Sequence, residues 1–209
     1  MLYRFLRFLA RLLFIFCHWK VQGRENLPRE GPVIVAANHI SNWDPIAVAS
    51  ALSRPVHFMA KEELFEHQVL SKLLTAINAF PVKRGSPDRK AIRNALNVLV
   101  QGEVLGIFPE GSRSKTGELT KPYPGIAMLA LKARVPVIPV ACIGTDRFLP
   151  WGWRKPFIIR IGKPLQYEEY YDTRLSTQVM ETVSQDIMNK IYELLDWPQQ
   201  DFSVQLRNR

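Results

Sequence analysis

Six short apolar runs, at residues 33–37, 56–60, 79–82, 104–108, 137–143 and 157–161, constrain the fold more than any other feature of the chain. Runs of four to seven apolar residues bounded by turn formers read as buried strands. Between them lie segments with helical spacing. One, opened by Lys61-Glu62-Glu63, carries Leu64, Phe65, Val69, Leu70, Leu73, Leu74 and Ile77. A second starts at Pro87, with Ser86 as its cap and Asp88 in its first turn, and carries Ile92, Leu96, Leu99 and Val100. A third spans 125–133, and a long one over 175–195 is stopped by Pro198. Strands alternating with helices predict an α/β fold with a mostly parallel sheet flanked by helices on both faces. At 209 residues the chain can bury one such core. The expected organisation is an N-terminal amphipathic helix over 1–22, a single α/β domain over 23–200 entered through a Gly- and Pro-rich turn region, and a polar tail over 201–209.

The first run passes into Asn38-His39-Ile40-Ser41-Asn42-Trp43-Asp44-Pro45. A proline disfavours helix for the residue before it and suits a helix's first turn, so this reads as strand, loop, then a helix over 45–52. An imidazole and a carboxylate therefore share one loop at a strand's C-terminal end, where α/β proteins keep their chemistry. Two more polar loops follow apolar strands in the same way: Lys83-Arg84-Gly85, and Pro109-Glu110-Gly111-Ser112-Arg113-Ser114. In a parallel sheet the three face one crevice. Each has a plain alternative. Asp44 could cap its helix, Lys83 and Arg84 could be solvated turn residues, and Glu110 with Arg113 could be a surface ion pair worth less than about 1 kcal/mol. Three such loops at matching strand ends favour a site.

The N-terminal segment MLYRFLRFLARLLFIFCHWK places Arg4, Arg7 and Arg11 within about 60° of one another on a helix, with His18 on the same stripe. Leu, Phe, Ile, Tyr and Trp cover the rest. A membrane-spanning helix fits poorly, since each arginine at mid-bilayer costs roughly 2.5–3.5 kcal/mol on insertion scales. A signal peptide fits poorly too, because Arg11 interrupts the apolar run and no small-residue cleavage site follows. The expectation is a helix lying on the membrane surface, apolar face in the acyl region and arginines among lipid phosphates. A helix packed on its own domain is the plainer alternative.

Composition narrows the partners. Lys and Arg total 28 against 19 Asp and Glu, a net charge of +9, which favours an anionic partner. The basic residues form no run interleaved with aromatics, so nucleic acid is not expected. There is no G-x-G-x-x-G and no G-x-S-x-G. Gly106 and Gly111 have the glycine spacing of a P-loop, but Ser112 stands where its lysine should be. The two cysteines, Cys17 and Cys142, lie far apart with no metal-ligand spacing, so no metal site is expected and a reducing setting fits.

The boxes taken together resemble the glycerolipid acyltransferases, specifically the 1-acyl-glycerol-3-phosphate acyltransferases. Their H-x-x-x-x-D box (HX4D) matches His39 and Asp44. Their K-R-G box matches Lys83, Arg84 and Gly85, and their F-P-E-G-x-R-S box matches Phe108-Pro109-Glu110-Gly111-Ser112-Arg113-Ser114. Their V-P-V-x-P-V box matches Val135-Pro136-Val137-Ile138-Pro139-Val140, and Ala60-Lys61-Glu62-Glu63-Leu64 matches a further segment. The resemblance covers residues 20–165 and implies transfer of a fatty acyl group from a thioester donor, acyl-CoA or acyl-carrier protein, to the sn-2 hydroxyl of 1-acyl-glycerol-3-phosphate. It implies phosphatidic acid as product and no bound cofactor. His39 would be the general base and Asp44 its orienting partner. Lys83, Arg84, Gly85, Glu110, Gly111, Ser112 and Arg113 would form the acceptor-phosphate pocket, Arg84 and Arg113 offering forked contacts. Weaker candidates for donor or oxyanion contacts are Asn38, Lys61, Lys121, Val135 and Pro136. The expected location is the cytoplasmic face of the cell membrane. Two alternatives stand beside this reading: a related acyltransferase with glycerol-3-phosphate or another lysophospholipid as acceptor, and a non-catalytic anionic-lipid binding protein.

Overall fold

The structure is a computed structural model that describes residues 2–83, 88–113, 121–148 and 156–196. A seven-stranded sheet forms its centre: β1 (Lys20–Gln22), β2 (Val33–Ala37), β3 (Val56–Lys61), β4 (Ala79–Val82), β5 (Val104–Ile107), β6 (Val137–Ile143) and β7 (Ile158–Ile161). Their spatial order is β1-β7-β6-β2-β5-β3-β4. The five strands from β6 to β4 are mutually parallel, β7 is antiparallel to β6, and β1 is parallel to β7. The expected α/β architecture is therefore present, with an antiparallel edge. Strand β1 lies at the entrance of what read as a linker; three half-exposed residues carry too little apolar pattern to be seen in sequence.

The helices are α1 (Leu2–Phe16), α2 (Asp44–Ala51), α3 (Gln68–Ala76), α4 (Arg89–Val100), α5 (Gly125–Ala133) and α6 (Thr177–Asp196). Strand β2 is buried along its whole length and divides the core in two. Val33, Val35 and Ala37 pack on the α1/α2 face with Ala47, Val48 and Leu52. Ile34 and Ala36 pack on the opposite face, with Ala95 and Leu99 of α4, Ile126 and Leu129 of α5, and Val183 and Ile187 of α6. This alternation is the period of two that a strand imposes on its side chains.

The segment 61–77 is not one helix. Lys61 ends β3, a 3₁₀ turn covers Glu62–Phe65, and α3 begins only after His67, whose backbone is extended (φ −83°, ψ 116°) and whose ring accepts the Leu70 N–H at 3.5 Å. The apolar spacing suited a helix, but pairing of Lys61 with Val82 in the sheet holds its start extended. At α4 the cap is Asp88, which accepts from Lys90 and Ala91 N–H; Ser86 and Pro87 lie outside the described residues, as does the tail beyond Asp196.

Helix α1 packs on its own domain through the arginines that were expected among lipid phosphates, and keeps its apolar side outward. Arg7 donates to Leu52 O, and Arg11 donates to Ser50 O (2.8 Å) and Leu52 O (2.9 Å), so both arginines sit on the C-terminal carbonyls of α2. His18 lies past the helix, at φ 54°. Phe14 is wholly buried against Trp19, Trp43, Phe148 and Phe157. Arg4, Phe5, Phe8, Leu9, Leu12, Leu13, Ile15 and Phe16 face outward, Phe16 being 80% exposed. Arginines over an α2 terminus gain both hydrogen bonds and the helix dipole, which the loose spacing rule for lipid phosphates did not weigh. No helix among the described residues is long and apolar enough to cross a membrane.

Candidate active site

The loop 38–43 leaves the C-terminal end of β2, between β6 and β5, and enters α2 at Asp44. His39 is 9% exposed and Asp44 is wholly buried. His39 Nδ1 lies 2.9 Å from Asp44 Oδ2. That oxygen also accepts the N–H groups of Ile40 and Ser41, each at 2.7 Å, and Oδ1 accepts the Thr145 hydroxyl at 2.5 Å. Asp44 occupies the first turn of α2, yet its carboxylate turns back onto the preceding loop and away from the helix it opens, so it is no ordinary cap. A carboxylate accepts, so Nδ1 is the nitrogen that carries the hydrogen, and in the neutral imidazole Nε2 then presents a lone pair. The ring stacks on Phe108 at 4.3 Å between centroids, and Phe108 stacks on Phe58 at 5.7 Å. Gly106 makes room for this stack, since a Cβ there would overlap the Phe58 ring.

Glu110 braces the same loop from β5's side. Its Oε1 accepts the His39 N–H at 3.1 Å. Asn38 braces it from β6: its amide donates to Cys142 O at 3.0 Å and accepts the Cys142 N–H at 2.7 Å. Asn38 is thus a strut between strands, with one of its two amide hydrogens committed to Cys142 O. Both cysteines are free and buried, and burial pushes both thiols up.

The remaining expected residues divide by position. Gly111 turns the β5 loop at φ 66°, with its N–H on Phe108 O and the Tyr123 ring so near that a Cβ would meet it at 2.5 Å. Ser112 and Arg113 follow it, both exposed. Lys83 extends from β4 at the same end of the sheet, its exposed ammonium 3.8 Å from Glu62. Arg84 and Gly85 lie outside the described residues. Lys61 pairs with Glu63 at 2.9 Å, and Lys121 pairs with Glu181 of α6 at 2.9 Å. Val135 and Pro136 are corrected outright. They precede β6, at the sheet end opposite His39; Val135 N–H is spent on Ala130 O, and Pro136, with no N–H, accepts from Ile34. The V-P-V-x-P-V run is core strand, not oxyanion hole.

Sequence reasoning missed Thr145 and the Phe58–Phe108 stack. The signal for Thr145 was present: Gly144 ends an apolar strand, and that strand neighbours the one carrying His39. The strand order needed to use it is not written in a single sequence.

The sequence profile of the family described as Acyltransferase matches residues 18–143. A 1-acyl-sn-glycerol-3-phosphate acyltransferase of Bacillus subtilis (strain 168) is 31% identical over 153 residues, 72% of this chain and 75% of its own. One from Streptococcus pneumoniae is 28% identical over 203 residues, 93% of this chain and 73% of its own. The crystal structure of the 1-acyl-sn-glycerophosphate (LPA) acyltransferase PlsC from Thermotoga maritima superposes with a TM-score of 0.71 at 26% identity, covering 94% of this chain and 81% of that one. The chain belongs to the acyltransferase family.

Proposed function

We propose that this chain transfers a fatty acyl group from a thioester donor, acyl-CoA or acyl-carrier protein, to the sn-2 hydroxyl of 1-acyl-glycerol-3-phosphate, forming phosphatidic acid. The observation that carries the proposal is the His39–Asp44 pair at the C-terminal end of β2, with Nδ1 held by the carboxylate and Nε2 left for a substrate. His39 Nε2 takes the acceptor's hydroxyl proton as that oxygen attacks the thioester carbonyl. The C–S bond then breaks, and the departing thiolate takes the proton back from the imidazolium. General-base help of this kind is worth about 10²–10⁴ in rate, and Asp44 stabilises the imidazolium in between. No enzyme nucleophile enters the sequence, so no acyl-enzyme forms.

Lys83, Arg84 and Arg113 are the cations assigned to the acceptor phosphate, with Gly111 shaping the loop between them. Glu110 keeps its place beside that pocket and in addition braces the His39 backbone through Oε1. The outward apolar face of α1, together with a net charge of +9, suits the inner, cytoplasmic leaflet of the cell membrane, where the acceptor resides. The test is an acyl-transfer assay with purified protein and vesicles that crosses acyl-CoA and acyl-carrier protein with several acceptors. Wild type should acylate 1-acyl-glycerol-3-phosphate in preference to glycerol-3-phosphate, and H39A should not. Retained activity in H39A removes the base assignment, and a preference for another acceptor removes the substrate assignment.

A further inference from the structure

We propose that Thr145 is a positioning residue for the His39–Asp44 pair, its hydroxyl fixing the plane of the Asp44 carboxylate from a loop that lies beyond the family-matched segment. The inference rests on the reading of His39 as the base. Thr145 opens a single 3₁₀ turn, Thr145–Arg147, two residues past the end of the match at residue 143, and it is wholly buried. Its Oγ1 donates to Asp44 Oδ1 at 2.5 Å. The other oxygen, Oδ2, receives His39 Nδ1, Ile40 N–H and Ser41 N–H. All three of those donors come from the loop that the carboxylate itself organises. Thr145 is the donor that comes from elsewhere, the turn that follows β6.

That difference matters mechanically. Three donors on one oxygen locate that oxygen but leave the carboxylate free to swing about it. A fourth on the other oxygen, anchored elsewhere, removes the swing and fixes the direction from which Oδ2 meets Nδ1. The direction of that bond sets where Nε2 points. The anchor is itself held. Gly144, at φ 77°, turns the chain sharply out of β6. Asn38 clasps the backbone of Cys142 three residues before Thr145. Phe148, three residues after it, packs edge-on against Trp43 at 4.9 Å, next to Asp44. Two strand ends are thus stitched together by Asn38–Cys142 and Thr145–Asp44, with the pair between them. Leaving a buried carboxylate oxygen without a donor also carries a desolvation cost, which drives the side chain to re-aim.

The test measures steady-state kinetics and thermal melting of T145V, T145S, D44N and the double variant D44N/T145V, with H39A as control. T145V should lower kcat by roughly 10- to 100-fold, the range for a lost hydrogen bond to a charged group, with both KM values within about twofold. T145S keeps the hydroxyl and should restore kcat to within about threefold of wild type. In the D44N background T145V should cost little more, because its effect passes through the charged carboxylate. Unchanged kcat in T145V overturns the proposal, as does a T145S as impaired as T145V, or a full additive loss in D44N/T145V. If T145V does not fold, T145A and T145C replace it under the same criteria. Failure of all three to fold overturns the proposal, since it assigns the hydroxyl to the fold alone. An active H39A would instead remove the base assignment on which the proposal rests, while an inactive H39A beside an active T145V removes only the role of Thr145.

Discussion

Helices α2 and α4 lie on opposite faces of the sheet, and each begins at an aspartate that could serve as a cap. They use it differently. Asp88 caps α4 with one oxygen, accepting Lys90 N–H at 2.9 Å and Ala91 N–H at 3.0 Å, while its other oxygen takes the Lys83 N–H at 2.9 Å. Asp44 looks backward, away from α2, into His39, Ile40, Ser41 and Thr145. The far ends differ too. Helix α4 closes on itself: Gly102, at φ 76°, donates its N–H to Leu99 O, and Glu103 N–H reaches Val98 O, the pairing of a Schellman end. Helix α2 receives its terminal donors from Arg7 and Arg11 of α1. A helix whose aspartate caps its own first turn and whose C-terminus closes on itself is a packing element. One that gives away its carboxylate and borrows its last donors is held in place for something else.

The exchange that breaks the comparison most severely is D44N. An amide in place of the carboxylate offers no charge to an imidazolium and presents an NH₂ where Nδ1–H must be accepted. The expected loss in kcat is on the order of 10²–10⁴, with a folded protein by circular dichroism. D88N should act on stability, leaving kcat at saturating acceptor within about threefold, because any effect on the neighbouring Lys83 backbone appears as uniform binding in KM. If the two exchanges cost similar kcat, the distinction between a capping and an orienting aspartate is wrong.

The same contrast explains what the sequence could disclose. Helix α4 was readable because most of its stabilising contacts are local: the 92-96-99 face and Gly102 sit where the rules of a single helix put them, while the cap is Asp88 where Ser86 was expected, and Val100, expected on the apolar face, is exposed. Strands β2, β5, β6 and β7 were readable because burial on both faces writes apolar runs, and the half-buried β3 and β4 because they are short apolar runs between turn formers. The His39–Asp44 pair was readable because both members share one loop. What was hidden depends on strand order. Thr145 meets Asp44 across 101 residues of chain, and Asn38 meets Cys142 across 104. Helix α1 was half-read: its two faces were correct, but which face met the protein depended on α2 ending in open carbonyls nearby. Val135 and Pro136 failed because a motif match says which residues recur, not at which end of a strand they lie.

Because the arginine face of α1 is committed to α2, its apolar face is the one left for a bilayer. Replacing Phe8 and Phe16 with Ser should reduce binding to anionic vesicles by about tenfold or more per side chain, given roughly 1.5–3 kcal/mol for burying each ring. A sedimentation assay reads this directly, and unchanged binding would break the surface-helix proposal. R11A makes the complementary case. It leaves Ser50 O without its guanidinium and Leu52 O with Arg7 alone, and should lower stability by about 1–3 kcal/mol in a denaturant titration. Vesicle binding in R11A should barely change. A large loss of binding with intact stability would instead put Arg11 among lipid phosphates and reverse the orientation of α1.

The smallest expected effect isolates the capped helix. Backbone hydrogen bonds from Lys83 first, then Ala91 and Lys90, hold the Asp88 carboxyl below its ordinary range against a weaker opposing effect of burial. An acid whose pKa is depressed by folding stabilises the native state where it is ionised in both states, above its unfolded value near about 3.9. That contribution is lost as the pH falls through the lower folded value. D88A removes the acceptor for all three N–H groups and should cost about 1 kcal/mol at neutral pH, the usual worth of an N-cap. The gap between wild type and D88A should stay constant from pH 7 to about pH 5, narrow below about pH 4, and close once the carboxyl is protonated in both states. Urea titrations at pH 7, 5 and 3.5 read it. A gap that widens toward acid would mean that Asp88 is stabilised in its protonated form and does not cap α4 as an anion, and the contrast with Asp44 would lose one of its two sides.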